Sequence, residues 1–455
     1  MHPLSIQKLK LHDYRCFEAI EIDFDLKLTV LVAENGAGKT SILDGIAVAL
    51  GPYVGAFSES VGKHFEASDI RHFKVRETRT NEMEYAPRGA RLQASGFIPN
   101  DQHHQSNQLS TWRRALSSPN KAKTTIRDAK VLIDYGKRMQ EAVRTPGADV
   151  LLPLVAYYGT GRLWKTKKLT EAKLPRTSRT IGYTDCLDPA SSYKSFVAWF
   201  RYWNLNAKDA RIVAQEKGQP ISKTEFDDYI QSVSDAVNTC LKPSGWKDIS
   251  YSFSRDALVA NHEQFGELPV ELLSDGIRNM LGMVADIAFR ATKLNANLGK
   301  FAARQTPGVV LIDEVDMHLH PRWQQVVVDC LTEAFPNVQF IVTTHSPQVL
   351  STVPRENIRI LEQDETGYRA RVPDFSPLAH ESGDALTKIM GTHREPPLEL
   401  QDTIRQFELF VRAGQEHSAK AQQLRHDMDK AGYQIHESDL KTWRFLAQRK
   451  ANEGS

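Results

Sequence analysis

The sequence predicts an α/β fold built on a mixed β-sheet, with an inserted helical region and a C-terminal helical unit. Three apolar runs carry that expectation. Leu28 to Val32, Gly308 to Ile312 and Phe340 to Val342 each read as a buried strand, and each is followed at once by polar residues. Buried parallel strands with polar tips belong to open α/β sheets, whose ligands sit at the carboxyl edge.

Taken in order, Ile6 to Leu11 enters a strand. Ile20, Ile22 and Phe24 alternate with Glu21, Asp23 and Asp25, as a half-exposed strand does, and should pair with Leu9 and Leu11 in an antiparallel layer. After Val32 comes Ala33-Glu-Asn-Gly-Ala-Gly-Lys-Thr40. This is close to the phosphate-cradling pattern G-x-x-x-x-G-K-[ST], with Ala33 standing where the pattern begins with Gly. Glycines let backbone N–H groups turn inward around phosphate oxygens, and the start of the following helix adds partial positive charge. Asn35, Gly36, Ala37, Gly38, Lys39, Thr40 and Ser41 are therefore expected to hold nucleotide phosphates. Lys39 would reach the β- and γ-phosphates and the Thr40 hydroxyl would ligate Mg²⁺. The periodic segment Ser41 to Leu50 should be the helix, closed by Gly51-Pro52.

Residues 1–100 form the first part of this nucleotide-binding lobe. Residues 101–150 read as a helical insertion, with Ile126, Ala129, Ile133 and Met139 on one long helix, and 151–161 return to strand. Residues 162–245 hold a basic loop and a helical region. The loop carries Lys165, Lys167, Lys168 and Arg176 with Glu171 as its acid, and is either a solvated surface or a nucleic-acid patch with Trp164 available to stack. Residues 246–372 form the second part of the lobe, ending in a hairpin from Ile358 to Val372. Residues 373–455 form a helical unit with Leu400, Ile404, Phe407 and Val411 on one face; it either packs within the chain or grips a partner.

The chemistry-bearing residues lie mostly in the second part. The strand ending in Asp313-Glu314 places Asp313 to hold Mg²⁺ and Glu314 to orient or deprotonate a water. His345, at the tip of the next strand, would contact the γ-phosphate. Upstream, Ser274 reads as the cap of a helix carrying Ile277, Leu281, Val284, Ile287 and Ala288. A Ser-x-Gly at a helix start also offers a hydroxyl and free N–H groups to an anion.

These four motifs, in this order, resemble the ATP-binding-cassette (ABC-type) ATPases, which implies a P-loop ATPase head. In that family the signature Leu-Ser-Gly-Gly-Gln of one subunit closes over the nucleotide of another. Leu273-Ser-Asp-Gly-Ile277 keeps Ser274 and Gly276 but departs from it at Asp275 and Ile277. Asp316 matches the loop that crosses the dimer seam. Ile312-Asp-Glu-Val-Asp-Met-His-Leu-His-Pro321 is similar to the chromosome-maintenance and RecF-like branch. In that branch an Arg on the first hairpin lies by the nucleotide, here Arg15. Tyr157-Tyr-Gly-Thr-Gly-Arg162, the run from Leu273 to Leu281 and Asp384 to Gly391 look narrower still. They resemble bacterial anti-phage ATPases of the PtuA kind, from Septu systems and their retron-associated relatives.

Composition fits such a protein. The 455 residues carry 58 Lys and Arg against 56 Asp and Glu, so nucleic-acid binding would need local patches. The 4 cysteines have no paired spacing, which points to a reducing compartment, and no run reaches membrane-spanning length. The cytoplasm is the expected location. His318-x-His320 has metal-like spacing but no third ligand is evident, and it is expected at the dimer seam.

The resemblance implies an ATPase, with ATP and Mg²⁺, that forms a homodimer or higher oligomer. Catalysis would fall to Lys39, Glu314 and His345, with Ser274, Gly276 and Asp316 acting in trans. It also implies control of a separate HNH nuclease, PtuB-like, and in retron relatives a hold on a reverse transcriptase with its RNA–DNA product. A RecF-like repair or chromosome-maintenance clamp and a transporter motor subunit are the alternatives. No membrane partner is expected.

Overall fold

The computed structural model describes residues 3–74, 83–99, 109–118, 123–163, 178–189, 194–220, 222–365, 367–392, 398 and 400–453. Two compact units emerge, Met1–Ala385 and Leu386–Ser455. The division falls after Ala385 instead of at residue 373, because the intervening segment is bonded to the larger unit. Arg355 Nη1 donates to the Asp374 carbonyl at 3.1 Å, and the Ala379 N–H to the Ser351 carbonyl at 2.9 Å.

The centre of the larger unit is a six-stranded sheet in the order Gly367–Arg371, Ile358–Asp364, Leu28–Val32, Val338–Thr343, Gly308–Ile312, Leu154–Tyr158. All neighbours run parallel except the first pair, the expected hairpin, so the sheet is mixed. Leu28–Val32, Val338–Thr343, Gly308–Ile312 and Leu154–Tyr158 are buried at every residue, which is why they read as unbroken apolar runs. The register sets Ile312 opposite both Val342 and Tyr158, and Leu31 opposite Thr343. The residues that follow each strand therefore emerge together along one edge.

A second, antiparallel sheet orders Phe17–Asp23, Lys8–Tyr14, Ala90–Gly96 and Ser110–Leu116. Leu9 pairs with Ile22 and Leu11 with Ile20, as the alternation predicted. The strand Ser110–Leu116 corrects the expectation that 101–150 is helical. Trp112, Arg114 and Leu116 point into the core with period two, and the helix begins only at Lys130, leaving Ile126 exposed.

Between the two sheets runs the helix Lys39–Val54, buried at every residue but Thr40. Pro52 lies inside it and has no N–H to give the Val48 carbonyl. Arg114 Nη1 supplies the missing donor at 2.8 Å, and Trp112 Nε1 bonds the next carbonyl, Ala49, at 2.9 Å. The helix thus continues through its proline because the unanticipated strand caps the defect.

The rest of the larger unit packs the helices Lys194–Glu216, Glu225–Leu241 and Asp275–Leu294 with a three-stranded sheet, Trp246–Ser252, Ala257–His262 and Gly266–Pro269. Trp199 and Trp203 meet Phe289 with ring centroids 6.4 and 5.7 Å apart. The smaller unit holds the helices Leu400–Arg412, Ala419–Lys430 and Glu437–Glu453. Their core is Ile404, Phe407, Val411, Ala421, Met428 and Trp443.

Candidate nucleotide site

The loop after Leu28–Val32 turns through Gly36 and Gly38, whose φ angles of 82° and 94° are left-handed. A side chain at Gly38 would also collide with the Phe17 ring at 2.3 Å. Gly38 is the N-cap of Lys39–Val54 and carries no side chain to cap it, so the first N–H groups of the helix face the concave side of the loop. Lys39 crosses this concavity, donating to the Ala33 carbonyl at 2.9 Å and the Glu34 carbonyl at 3.1 Å. Burial lowers the pKa of its amine, and the nearby Asp313 and Glu314 carboxylates oppose that shift.

Thr40 Oγ1 donates to Asp313 Oδ2 at 2.7 Å. Thr343 Oγ1 donates to Asp313 Oδ1 at 2.6 Å and accepts the Glu314 N–H at 2.8 Å. A helix start and two strand ends thus meet at one carboxylate that is only 2% exposed. Glu314 sits at a φ of 49°, a strained position for a residue with a side chain, costing about 1–3 kcal/mol. Such strain persists where surrounding contacts force it, here the Thr343 bond and the Val315 N–H donating to the Thr343 carbonyl at 3.0 Å. His345 follows, with its pKa lowered by burial and by Lys39 against the pull of Glu314, Asp316 and Asp313. Thr344 Oγ1 donates to Asp316 and accepts the Ser346 N–H at 2.9 Å, which ties Asp316 to the segment bearing His345.

Lys39, Thr40, Asp313, Glu314 and His345 are therefore brought together within one chain. Arg15, between the first two strands, is bonded to two acids: its Nη1 donates to Asp44, one turn beyond Thr40 on the phosphate-loop helix, at 2.5 Å and its Nε to Asp69 at 2.8 Å. Ser274 stands at the N-cap position of Asp275–Leu294, but its hydroxyl makes no capping bond and the residue is exposed. The expected side-chain cap is absent because Ser274 gives the helix only its backbone carbonyl, to the Arg278 N–H at 2.9 Å. Two residues on, Gly276 is pressed against the His318 carbonyl, where a Cβ would lie 2.4 Å away. Asn279 Nδ2 donates to the Met317 carbonyl at 3.2 Å. The start of this helix is thus seated on the loop that follows Glu314.

His320 Nδ1 accepts the Arg322 N–H at 3.3 Å and caps a short helix, and among the described residues no group of three or more His, Cys, Asp and Glu side chains could hold a metal ion. Lys165, Lys167, Lys168 and Arg176 lie outside the described residues. Arg179, from the end of the same basic run, donates to the Leu294 and Val150 carbonyls at 2.8 and 2.7 Å and serves the fold.

Thr343, Thr344, Asp44 and Asp69 were not singled out from sequence. Thr343-Thr344 did stand in the polar tip before His345. Asp44 and Asp69 carried no local signal, since two strands and the phosphate loop separate Arg15 from Asp44, and the rest of the helix separates Asp44 from Asp69.

Residues 8–238 match a family model described as "AAA domain", and residues 244–351 a second, "AAA domain, putative AbiEii toxin, Type IV TA system". The chain belongs to the AAA-domain family. This AAA-domain protein is an ATPase, similar over most of its length to two others. It is 26% identical over 468 residues to "Retron Vc95 probable ATPase" of Vibrio cholerae serotype O1 biovar El Tor, covering 93% of this chain and 86% of that one. It is 25% identical over 419 residues to "Retron Ec83 probable ATPase" of Escherichia coli, covering 80% and 72%. A shorter match, 38% over 96 residues, is to "Septu protein PtuA" of Bacillus mycoides, covering 21% of this chain and 13% of that one. Among the described residues no helix is long and apolar enough to cross a membrane.

Proposed function

We propose that this ATPase closes head to tail as a dimer around two ATP molecules, and that the closed state controls a separate HNH nuclease in cytoplasmic anti-phage defence. The observation that carries the dimer is the uncapped hydroxyl of Ser274, exposed at the start of a helix that is itself seated on the loop after Glu314. A serine in that setting is available, with the N–H groups of the helix start, to an anion from outside its own chain. Each composite site would join Lys39, Thr40, Asp313, Glu314 and His345 of one subunit to Ser274, Gly276 and Asp316 of the other. The relatives named for retrons and for Septu support membership of a defence complex, and the nuclease and a retron reverse transcriptase with its RNA–DNA product are the partners that the sequence resemblance implies.

Within the site, water attacks the γ-phosphorus in line with the departing β-phosphate oxygen. Glu314 orients that water and takes its proton, while Lys39 and the N–H groups of the loop stabilise charge on the γ-phosphoryl oxygens. The Thr40 hydroxyl and Asp313 carboxylate are two hard oxygen donors already in contact, a set that fits Mg²⁺. When bound, that ion neutralises charge on the β- and γ-oxygens. His345, neutral at pH 7, can hydrogen-bond the γ-phosphate and sense its presence.

Glu314→Gln should retain ATP affinity and lose about 10²–10⁴-fold in hydrolysis. Mixing it with Ser274→Arg protein tests the shared site. One of the two sites in a mixed dimer combines both lesions, and the other is free of both, so phosphate release should partly recover. Mixtures that stay inactive while heterodimers form would overturn the arrangement.

A further inference from the structure

Behind the nucleotide edge lies a buried polar chain that the proposed mechanism does not use. Tyr158 ends the strand Leu154–Tyr158, and its carbonyl accepts the Asp313 N–H at 2.8 Å. Its hydroxyl donates to Asp286 Oδ2 at 2.7 Å, on the helix that begins at Ser274. Arg290, one turn further along, donates to the same oxygen from Nε at 2.7 Å. From Nη1 it also donates to the carbonyls of Gly182 and Thr184, each at 2.9 Å. The neighbouring Tyr183 donates its hydroxyl proton to the Pro153 carbonyl at 2.7 Å, so Tyr53 of the phosphate-loop helix must be the donor in the 2.7 Å bond between the two hydroxyls. Tyr158, Asp286 and Arg290 are 4%, 1% and 3% exposed.

Stability is a poor reason for this chain. A buried ion pair seldom outperforms apolar residues of the same shape, because desolvating both charges offsets their attraction. Asp286 Oδ1 also has no hydrogen-bond partner among the described residues, a cost without a structural return. What the chain does provide is a rigid link. One end is the backbone of Asp313, which lies in this subunit's own nucleotide site. The other end is the helix whose first turn would serve the neighbour's site.

We propose that Tyr158, acting through Asp286 and Arg290, is a positioning residue that couples the two composite sites of the dimer. Any shift of the signature helix is passed to the Asp313 backbone through two hydrogen bonds in series, and the reverse. The coupling rests on the shared-site arrangement above.

The test uses the mixed dimer of Glu314→Gln and Ser274→Arg chains, in which one site is intact. Its Glu314 comes from the Ser274→Arg chain and its Ser274 from the Glu314→Gln chain. Tyr158→Phe keeps the ring and removes the hydroxyl. Placed in either chain, it should lower phosphate release about 5-fold, the scale of one buried hydrogen bond, without changing ATP affinity. An effect from one chain alone means that the residue serves one side of the site, and overturns coupling. Unchanged activity from both chains overturns it as well. If the mixed dimer is inactive before Tyr158 is touched, the shared site itself has failed and the coupling falls with it. A control separates positioning from folding: Tyr158→Phe leaves the Arg290 bonds to Asp286, Gly182 and Thr184 in place, so it should melt within about 3 °C of wild type by circular dichroism, yet lose activity. A loss of activity matched by a loss of melting temperature would assign the chain to stability.

Discussion

Two helices in this molecule begin with a glycine-containing turn suited to anions, and they end up in opposite situations. Lys39–Val54 starts in a loop whose lysine is bonded to the loop's own Ala33 and Glu34 carbonyls and whose threonine is bonded to the Asp313 carboxylate, and every residue after Thr40 is buried. Asp275–Leu294 starts at an exposed serine whose hydroxyl bonds nothing in its cap, while Gly276 and Asn279 fix its direction from behind. The first is a site that one chain can assemble. The second is, on the arrangement proposed above, a surface that another molecule completes. The proposed half-site is thus as firmly positioned as the assembled one, with an exposed polar residue on a support fixed from behind.

The largest expected effect divides the two helices directly. Lys39→Ala removes the charge proposed to face the β- and γ-phosphates and should abolish measurable ATP binding by calorimetry. Ser274→Arg should leave binding to the single subunit within about 2-fold, since an exposed change far from shared partners usually costs under about 0.5 kcal/mol. It should still eliminate hydrolysis. Equal losses of binding in both variants would erase the distinction between a cis and a trans helix.

A smaller effect concerns His345, which belongs to the buried half. Burial and Lys39 hold its pKa below the ordinary 6.5. The unfolded chain therefore takes up the proton first as pH falls. Stability from this residue is undiminished above about 6.5 and declines as pH drops toward the folded value. Urea midpoints of wild type and His345→Gln should converge at pH 5.5 relative to their separation at pH 7.5. A constant separation would place the imidazole in ordinary solvent.

The smallest effect lies outside both helices. Replacing Lys165, Lys167, Lys168 and Arg176 with Ser should reduce the logarithmic salt slope of nucleic-acid binding by about one unit per lost phosphate contact and leave basal ATPase activity unchanged. An unchanged slope returns the run to solvated surface. Arg179 shows how that could be so, since it spends its guanidinium on backbone carbonyls.

What could be read from the sequence was whatever is encoded by neighbours along the chain. The phosphate loop, the Asp313-Glu314 tip, the first hairpin register and the C-terminal helical face all depend on local spacing, so residue patterns a few positions long determined them. The strand Ser110–Leu116 was misread because two arginines interrupt its alternation. Arg114 looks like a surface residue until the Val48 carbonyl left open by Pro52 makes it a core one. Tertiary structure alone decided that Thr343 would bridge Asp313 and Glu314, that Arg15 would answer to Asp44 and Asp69, and that Tyr158 would join Asp313 to the signature helix. Each of these bonds spans many residues of chain, and a hydrogen bond's partner is chosen by which buried group lacks one once the strands are in register. Sequence spacing carries no record of that choice.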